Sequence, residues 1–445
     1  MYVPIELQEL ILNKSNLKTQ IMFISTYAQL YNNLYIAELL DATYIQKSIP
    51  IKEIWSQSWS RHGNYKNLLT YDILNQKKFS RLSRLSIPKN LPINMDTNLY
   101  ELRLTDNEYI TDVCQVHCLR ILYADGKSAI RQSCIDKLDL FELYCDNNNG
   151  IYNVGHMNHL RILSARDRCA ISQKCIQKLN LVQLRCCNNY KINDITHMNK
   201  LQILYAEGPS CHIMQNSIDN MDLKELYVTA NPHIYNVNHL KNLKILRAGH
   251  YSCGIKNIDG LNLIELYIGN NYNIKYIPFM NNLRILDISH MQVTHNISPY
   301  NLYELRINGN NNIIKIPHMS NLKVLYLNDK IKKIKNLNLY YLCAYNSKIK
   351  DLKHMTNLKI LYAHGKKNKI SYSSLMGLHL DILYAANNYN MLDTNKFISC
   401  TKSCILYHAE DSNIDNAMDI ISNLKIFSID DETDNDNMWL RLGLQ

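Results

Sequence analysis

Cys114, His117 and Cys118, in the stretch CQVHC, form the one tight cluster of metal-ligating side chains that the sequence offers. Three such ligands within five residues could supply part of a zinc sphere. A closed site needs a fourth ligand, and no second pair follows at suitable spacing. The stretch therefore reads as packing at a turn. His156, His197, His318 and His354 each stand directly before a methionine, but equivalent positions carry His239-Leu240 and Phe279-Met280, so these histidines would not converge on a metal. Packing and turn hydrogen bonds are their expected role. No glycine-rich phosphate loop, HExxH, GxSxG or paired CxxC occurs, and the 13 glycines fall mostly at turns. Neither a metal, nor a cofactor, nor catalysis is expected.

Tyrosine and arginine have the greater capacity for recognition, and their placement follows a period. The apolar skeleton Leu-x-x-Leu-x-Ala/Ile/Cys begins at Leu82, Leu99, Leu119, Leu140, Leu160, Leu181, Leu201 and Leu223. It continues from Leu243 through Leu263, Leu283, Leu302, Leu322, Leu339 and Leu358 to Leu380, with frayed copies at 404–409 and 424–429. Most steps are 19 to 22 residues. HMNKLQILYAEG at 197–208 returns as HMTNLKILYAHG at 354–365. A repeat of this length predicts stacked turns that bury a shared core. Positions one, four and six point inward on a short strand, so positions three and five point outward. Some sixteen parallel strands about 4.8 Å apart would make an arc of about 75 Å.

The fifth position holds Tyr123, Tyr144, Tyr205, Tyr227, Tyr267, Tyr326, Tyr362 and Tyr384, with Arg103, Arg185, Arg247 and Arg306 in other copies. The third position nearly alternates between Glu (Glu101, Glu142, Glu225, Glu265, Glu304) and Ile (Ile121, Ile162, Ile203, Ile245, Ile285, Ile360, Ile382). Tyr, Arg and Ile side by side have the composition of a protein interface. The interspersed glutamates oppose phosphates, so a protein is the expected partner of this face and nucleic acid is not. Alternate copies place Asn at position nine (Asn107, Asn148, Asn189, Asn231, Asn271, Asn310, Asn388), where an inward amide can satisfy turn backbone.

With its recurring spacing, LxxLxLxxNxxI over residues 82–430 resembles the leucine-rich repeat. The resemblance implies an α/β solenoid, a horseshoe with a parallel sheet on its concave face and irregular or short helical segments on the convex one. Copies lacking the Asn carry ADG, AEG or AHG and a longer segment such as SAIRQSCIDKL, so two repeat types alternate in a unit of about 40 residues.

Residues 3–36 lack the skeleton and read as helices; Pro4 and Glu6 suit a helix start. A helical cap on the first repeat is one reading. Val3-Pro4, Glu6-Leu7 and Ile11-Leu12 also resemble an F-box over residues 1–45. That resemblance implies that Pro4, Leu7, Ile11 and Leu12 dock on a Skp-type adaptor of a cullin ubiquitin ligase while the repeats hold the substrate. The alternative is a binding or scaffold protein with no ligase link. Residues 46–81 would form a linker or hinge and 431–445 a tail, with no room for a catalytic ligase domain after the repeats.

Net charge is +10 over 445 residues, spread along the length, which gives a mild positive field. No apolar run is long enough for a membrane span and the start lacks the features of a secretory signal, so a cytoplasmic protein is expected, with no membrane partner. Among 13 cysteines, Cys145 and Cys186 occupy the inward sixth position that Ala165 and Ala206 fill elsewhere, which predicts reduced thiols acting as small core residues. The weight of Asn, Ile, Lys and Tyr resembles proteins of AT-rich genomes, and F-box proteins with repeat arrays are familiar in giant viruses of amoebae.

Overall fold

Each copy of the skeleton folds as a three-residue strand, because its alternation places every second side chain on one face. Leu119, Leu122 and Ala124 in one turn, and Leu140, Leu143 and Cys145 in the next, have no exposed surface. No single turn could bury these leucines alone; each is covered by its counterparts in the turns before and after.

The computed structural model describes residues 99–391 apart from 293–296, 336 and 386, together with the backbone of four flanking strands. By its contacts the chain forms two compact units, Met1–Tyr227 and Val228–Gln445. The first contains β1 (Glu38–Leu39), β2 (Arg84–Ser86), β3 (Glu101–Arg103), β4 (Ile121–Tyr123), β5 (Glu142–Tyr144), β6 (Ile162–Ser164), β7 (Gln183–Arg185), β8 (Ile203–Tyr205) and β9 (Glu225–Tyr227). The second contains β10 (Ile245–Arg247), β11 (Glu265–Tyr267), β12 (Ile285–Asp287), β13 (Glu304–Arg306), β14 (Val324–Tyr326), β15 (Tyr341–Cys343), β16 (Ile360–Tyr362), β17 (Ile382–Tyr384), β18 (Ile405–Tyr407) and β19 (Ile426–Phe427).

Within each unit consecutive strands pair in parallel and without slip. Leu102 lies opposite Leu122, Leu122 opposite Leu143, and Leu143 opposite Leu163; the second unit repeats this from Leu246 and Leu266 onward. A one-residue slip would turn the leucines outward, so the core itself fixes the register.

The architecture is thus a parallel-strand β-solenoid with little helix. The helices among the described residues are single turns, such as α1 (Gln132–Ile135), α2 (Gln173–Ile176) and α3 (Tyr372–Leu375). They fall in the longer connecting segments, and four residues are too few to sustain more than one turn. The expected α/β class therefore narrows, among the described residues, to β with helical corners. The F-box-like segment with Pro4, Leu7, Ile11 and Leu12, the hinge at 46–81 and the tail at 431–445 lie outside the described residues, except that Glu38–Leu39 runs parallel to Arg84–Ser86.

Two devices close the turns. The ninth-position asparagines are buried and use both ends of the amide. Asn148 Nδ2 donates to the carbonyls of Ala124 and Ile130 at 2.7 and 3.4 Å, and its Oδ1 accepts from Gly150 N at 2.7 Å. Asn189, Asn271 and Asn388 repeat the pattern. The second device is a left-handed residue at position eight: Asp106, Asn147 and Asn188, each directly before the Asn, have φ of 52–58°, and copies of the other type place Gly126, Asp167, Gly208 and Gly365 there. A Cβ on Gly126 would run into the Asp106 carboxylate, so the close approach of successive turns as well as φ selects glycine there.

The ring nitrogens of His156 and His197 bond the carbonyls of Ile135 and Ile176, each in the preceding turn, at 3.2 and 3.0 Å, so both serve the turns. Cys114 Sγ donates to the carbonyls of Ser133 and Cys134, while Cys118 and His117 are exposed. Cys145 and Cys169 place their sulfurs 3.5 Å apart as free thiols, well beyond the ~2.05 Å of a disulfide.

Candidate recognition face

Within each unit, in-register parallel strands bring the same position of successive turns to one line, about 4.8 Å from its neighbours. That spacing is close to the thickness of stacked planar groups, so tyrosines and arginines at position five must lie on one another. In the first unit Arg103 covers the Tyr123 ring at 4.5 Å, and the Tyr123 and Tyr144 rings are parallel at 4.1 Å. Further along, Arg185 covers Tyr205 at 4.8 Å and Tyr205 stacks on Tyr227 at 4.0 Å. In the second unit Arg247 covers Tyr267 at 4.3 Å, Arg306 covers Tyr326 at 4.8 Å, and Tyr326, the third-position Tyr341, Tyr362 and Tyr384 follow in tilted contacts of 5.1–5.5 Å.

All eleven residues expected on the binding face stand on the strand side opposite the leucine core. The stacking changes their exposure. Tyr123, Tyr144, Arg185, Tyr205, Tyr267, Arg306, Tyr326 and Tyr384 are half-buried and Arg247 is exposed. Tyr227 and Tyr362 are buried, at 9% and 6% exposed. The face is a ladder of rings lying against one another, a more rigid surface than a row of separate side chains.

Third-position glutamates tie the ladder down. Arg103 Nε donates to Glu101 at 2.7 Å, the Tyr144 hydroxyl to Glu142 at 2.9 Å, the Tyr227 hydroxyl to Glu225 at 2.9 Å and the Tyr267 hydroxyl to Glu265 at 3.1 Å. Burial and then the Glu142 carboxylate raise the Tyr144 phenol far above its usual pKa, and burial pushes Tyr326 up to about 12. These phenols therefore stay neutral donors at physiological pH.

Three strands break the series. Ser164 on β6, Asp287 on β12 and Cys343 on β15 occupy position five where neighbours carry rings or guanidinium groups; at the third of these the neighbouring position-three ring of Tyr341 bridges Tyr326 and Tyr362. Beside the first break, past the ends of β3–β5, a hollow of about 500 Å³ opens, lined by Thr105, Asp125, Tyr144, Asp146, Arg166 and Arg185 among others, while Ser164 itself is fully buried. Asp146 accepts from Ser164 Oγ at 2.7 Å and from Arg166 N and Nε at 2.8 and 2.7 Å. Asp125 accepts from Asp146 N and from the Thr105 hydroxyl, and burial raises its pKa above the usual carboxylate range. The dominant types at the fifth position masked these three departures. The signal was present: a short side chain inside a ring series.

The arrangement supplies aromatic faces, fixed positive groups and oriented carboxylates, which suit binding. Among the described residues no three His, Cys, Asp or Glu side chains converge as a metal would require, and no helix is long and apolar enough to cross a membrane. Comparison with protein-family models gives no match along this chain, and comparison with curated proteins gives none either.

Proposed function

We propose that this protein works by holding a protein partner against the Tyr/Arg ladder of its strands, without catalysis. The observation that carries the reading is the in-register stack Arg103–Tyr123–Tyr144 with its continuation Arg185–Tyr205–Tyr227. Pre-stacked rings lose little conformational freedom on binding, and Tyr and Arg are the residue types that carry most interface energy. Glutamates paired along the same face oppose a phosphate backbone.

The test is affinity capture followed by mass spectrometry on the full chain. Partners held by the wild type should be lost with Arg103→Glu/Arg185→Glu/Arg247→Glu. They should be retained with Tyr152→Ser/Tyr190→Ser/Tyr235→Ser, which changes exposed turn tyrosines off the ladder. Retention by the arginine variant would overturn the assignment of the face.

A narrower reading rests on sequence: a leucine-rich-repeat substrate-recognition subunit of a Skp/cullin-type ubiquitin ligase in the cytoplasm. It draws on the Val3-Pro4, Glu6-Leu7 and Ile11-Leu12 spacing. Co-purification with a Skp-type adaptor, abolished by Leu7→Asp/Ile11→Asp, supports it; no adaptor with the wild type leaves a binding or scaffold protein.

A further inference from the structure

Tyr144, Ser164 and Arg185 lie in register at position five of three neighbouring parallel strands. Among the strands from β3 to β9, the others hold Arg or Tyr there, so Ser164 leaves one rung out. Two strand spacings, about 9.6 Å, separate the rungs of Tyr144 and Arg185. Two stacking contacts at ~3.5–4 Å each need about 7–8 Å. With Arg185 drawn back along its own rung, one planar group has room between them, and two do not.

Arg185 at present closes the gap, with its guanidinium 5.8 Å from the Tyr144 ring and 4.8 Å from the Tyr205 ring and with Ser164 beneath it fully buried, so an occupant enters as Arg185 swings off it. No carboxylate of its own strand holds it. In the orientation that satisfies both groups, the Gln183 amide oxygen accepts from Arg185 Nη2 and Nε at 3.0 and 2.7 Å. The charge is thus paired with a neutral amide, and Arg185 can settle back onto Tyr205 when the gap is filled.

The two walls select the occupant. A guanidinium or ammonium group would stack on Tyr144 but meet Arg185 as a like charge. An aliphatic chain would gain neither contact fully. An aromatic ring satisfies both, with its face on Tyr144 and its π-cloud under Arg185. Beyond the gap the hollow presents the half-buried Asp125 carboxylate, which can accept from a ring edge carrying an N–H or O–H donor; Asp146 there is already paired with Arg166.

We propose that the gap at Ser164 is a slot for one aromatic side chain, a tryptophan or tyrosine of the protein partner, sandwiched between Tyr144 and Arg185. The assignment of the slot to a protein partner rests on the function proposed above. Full-length protein titrated with N-acetyl-L-tryptophanamide, followed by saturation-transfer NMR on the indole protons, should show saturable binding with Kd on the order of 1 mM. N-acetyl-L-leucinamide should bind at least tenfold more weakly. Ser164→Tyr, which supplies the missing rung, should weaken indole binding at least tenfold with its circular dichroism and thermal midpoint kept. If that variant does not fold, Tyr144→Leu decides, with a loss of several fold expected, and Tyr152→Ser should leave binding unchanged. Equal binding of the leucine amide, undiminished binding to folded Ser164→Tyr or to Tyr144→Leu, or tighter binding of adenosine 5′-monophosphate would overturn the slot. The titration contains no partner protein, so its failure is separate from failure of the capture experiment.

Discussion

Ser164 in the first unit and Asp287 in the second interrupt the same series, and around them the geometry is nearly superposable. Arg185 lies 5.8 Å from Tyr144 and 4.8 Å from Tyr205; Arg306 lies 5.8 Å from Tyr267 and 4.8 Å from Tyr326. The electrostatics differ. Arg306 donates to Glu304 at 2.5 Å. Burial works against its charge, but Glu304, and Asp287 with it, outweigh burial and hold the guanidinium above its usual pKa. Arg185 has Gln183 in place of the glutamate and Ser164 in place of the aspartate. The same backbone repeat thus yields one gap whose arginine is neutralised by its own chain and one whose arginine has charge to offer. Recognition capacity here depends on which rung departs from the repeat.

The scaffolds beneath the two gaps are built alike, and the largest expected effects lie there. Asn148→Ala and Asn271→Ala each leave two buried carbonyls and one N–H without their partner. Each should cost about 2–4 kcal/mol, read from urea midpoints and turn-amide exchange. A large loss at one and none at the other would break the equivalence.

Next comes a titration peculiar to the second unit. His364 sits among Tyr345, Tyr362 and Tyr384, its Nδ1 is buried without a partner, and burial lowers its pKa from 6.5 to about 4. Since the folded state binds this proton more weakly, the stability that neutral His364 permits is complete above about pH 6.5 and is lost as pH falls through about 4. The loss should reach up to about 3 kcal/mol. Thermal midpoints from pH 7.5 to 4.5 should fall less steeply in His364→Phe than in the wild type. Glu207 holds the corresponding turn position in the first unit.

Asp287→Ser/Glu304→Gln copies the Ser164–Gln183 arrangement into the second unit. N-acetyl-L-tryptophanamide should then bind at two sites in place of one, a gain of roughly 1–2 kcal/mol at the new gap, measured as stoichiometry by calorimetry. The smallest effects lie within the stacks. A double-mutant cycle on Tyr123 and Tyr144 should give a coupling of about 0.5–1.5 kcal/mol, and one on Arg247 and Tyr267 about 0.5–1 kcal/mol, by denaturant unfolding.

Much of the fold was legible in the sequence because period and type coincide. Leu122, Leu143 and Leu163 recur at one phase, and burying them in stacked turns requires parallel strands in register. The ninth-position amides were legible for the same reason: a buried Asn before a turn has few uses other than satisfying backbone. Position eight was legible only in part, through the glycines of ADG, AEG and AHG. Asp106, Asn147, Asn188, Gly126 and Gly208 look dissimilar, and what they share is tolerance of φ > 0. Segments such as SAIRQSCIDKL allow helix locally, and among the described residues they leave room for a single turn.

By itself the sequence determined the period, the inward leucines and the outward tyrosines and arginines, since these follow from alternation along each strand. Which outward residues touch was decided by tertiary structure alone. Contact between Tyr144 and Arg185 across Ser164 depends on three strands 4.8 Å apart in exact register, and residues 41 positions apart in the chain become neighbours only when the turn between them contributes no ring.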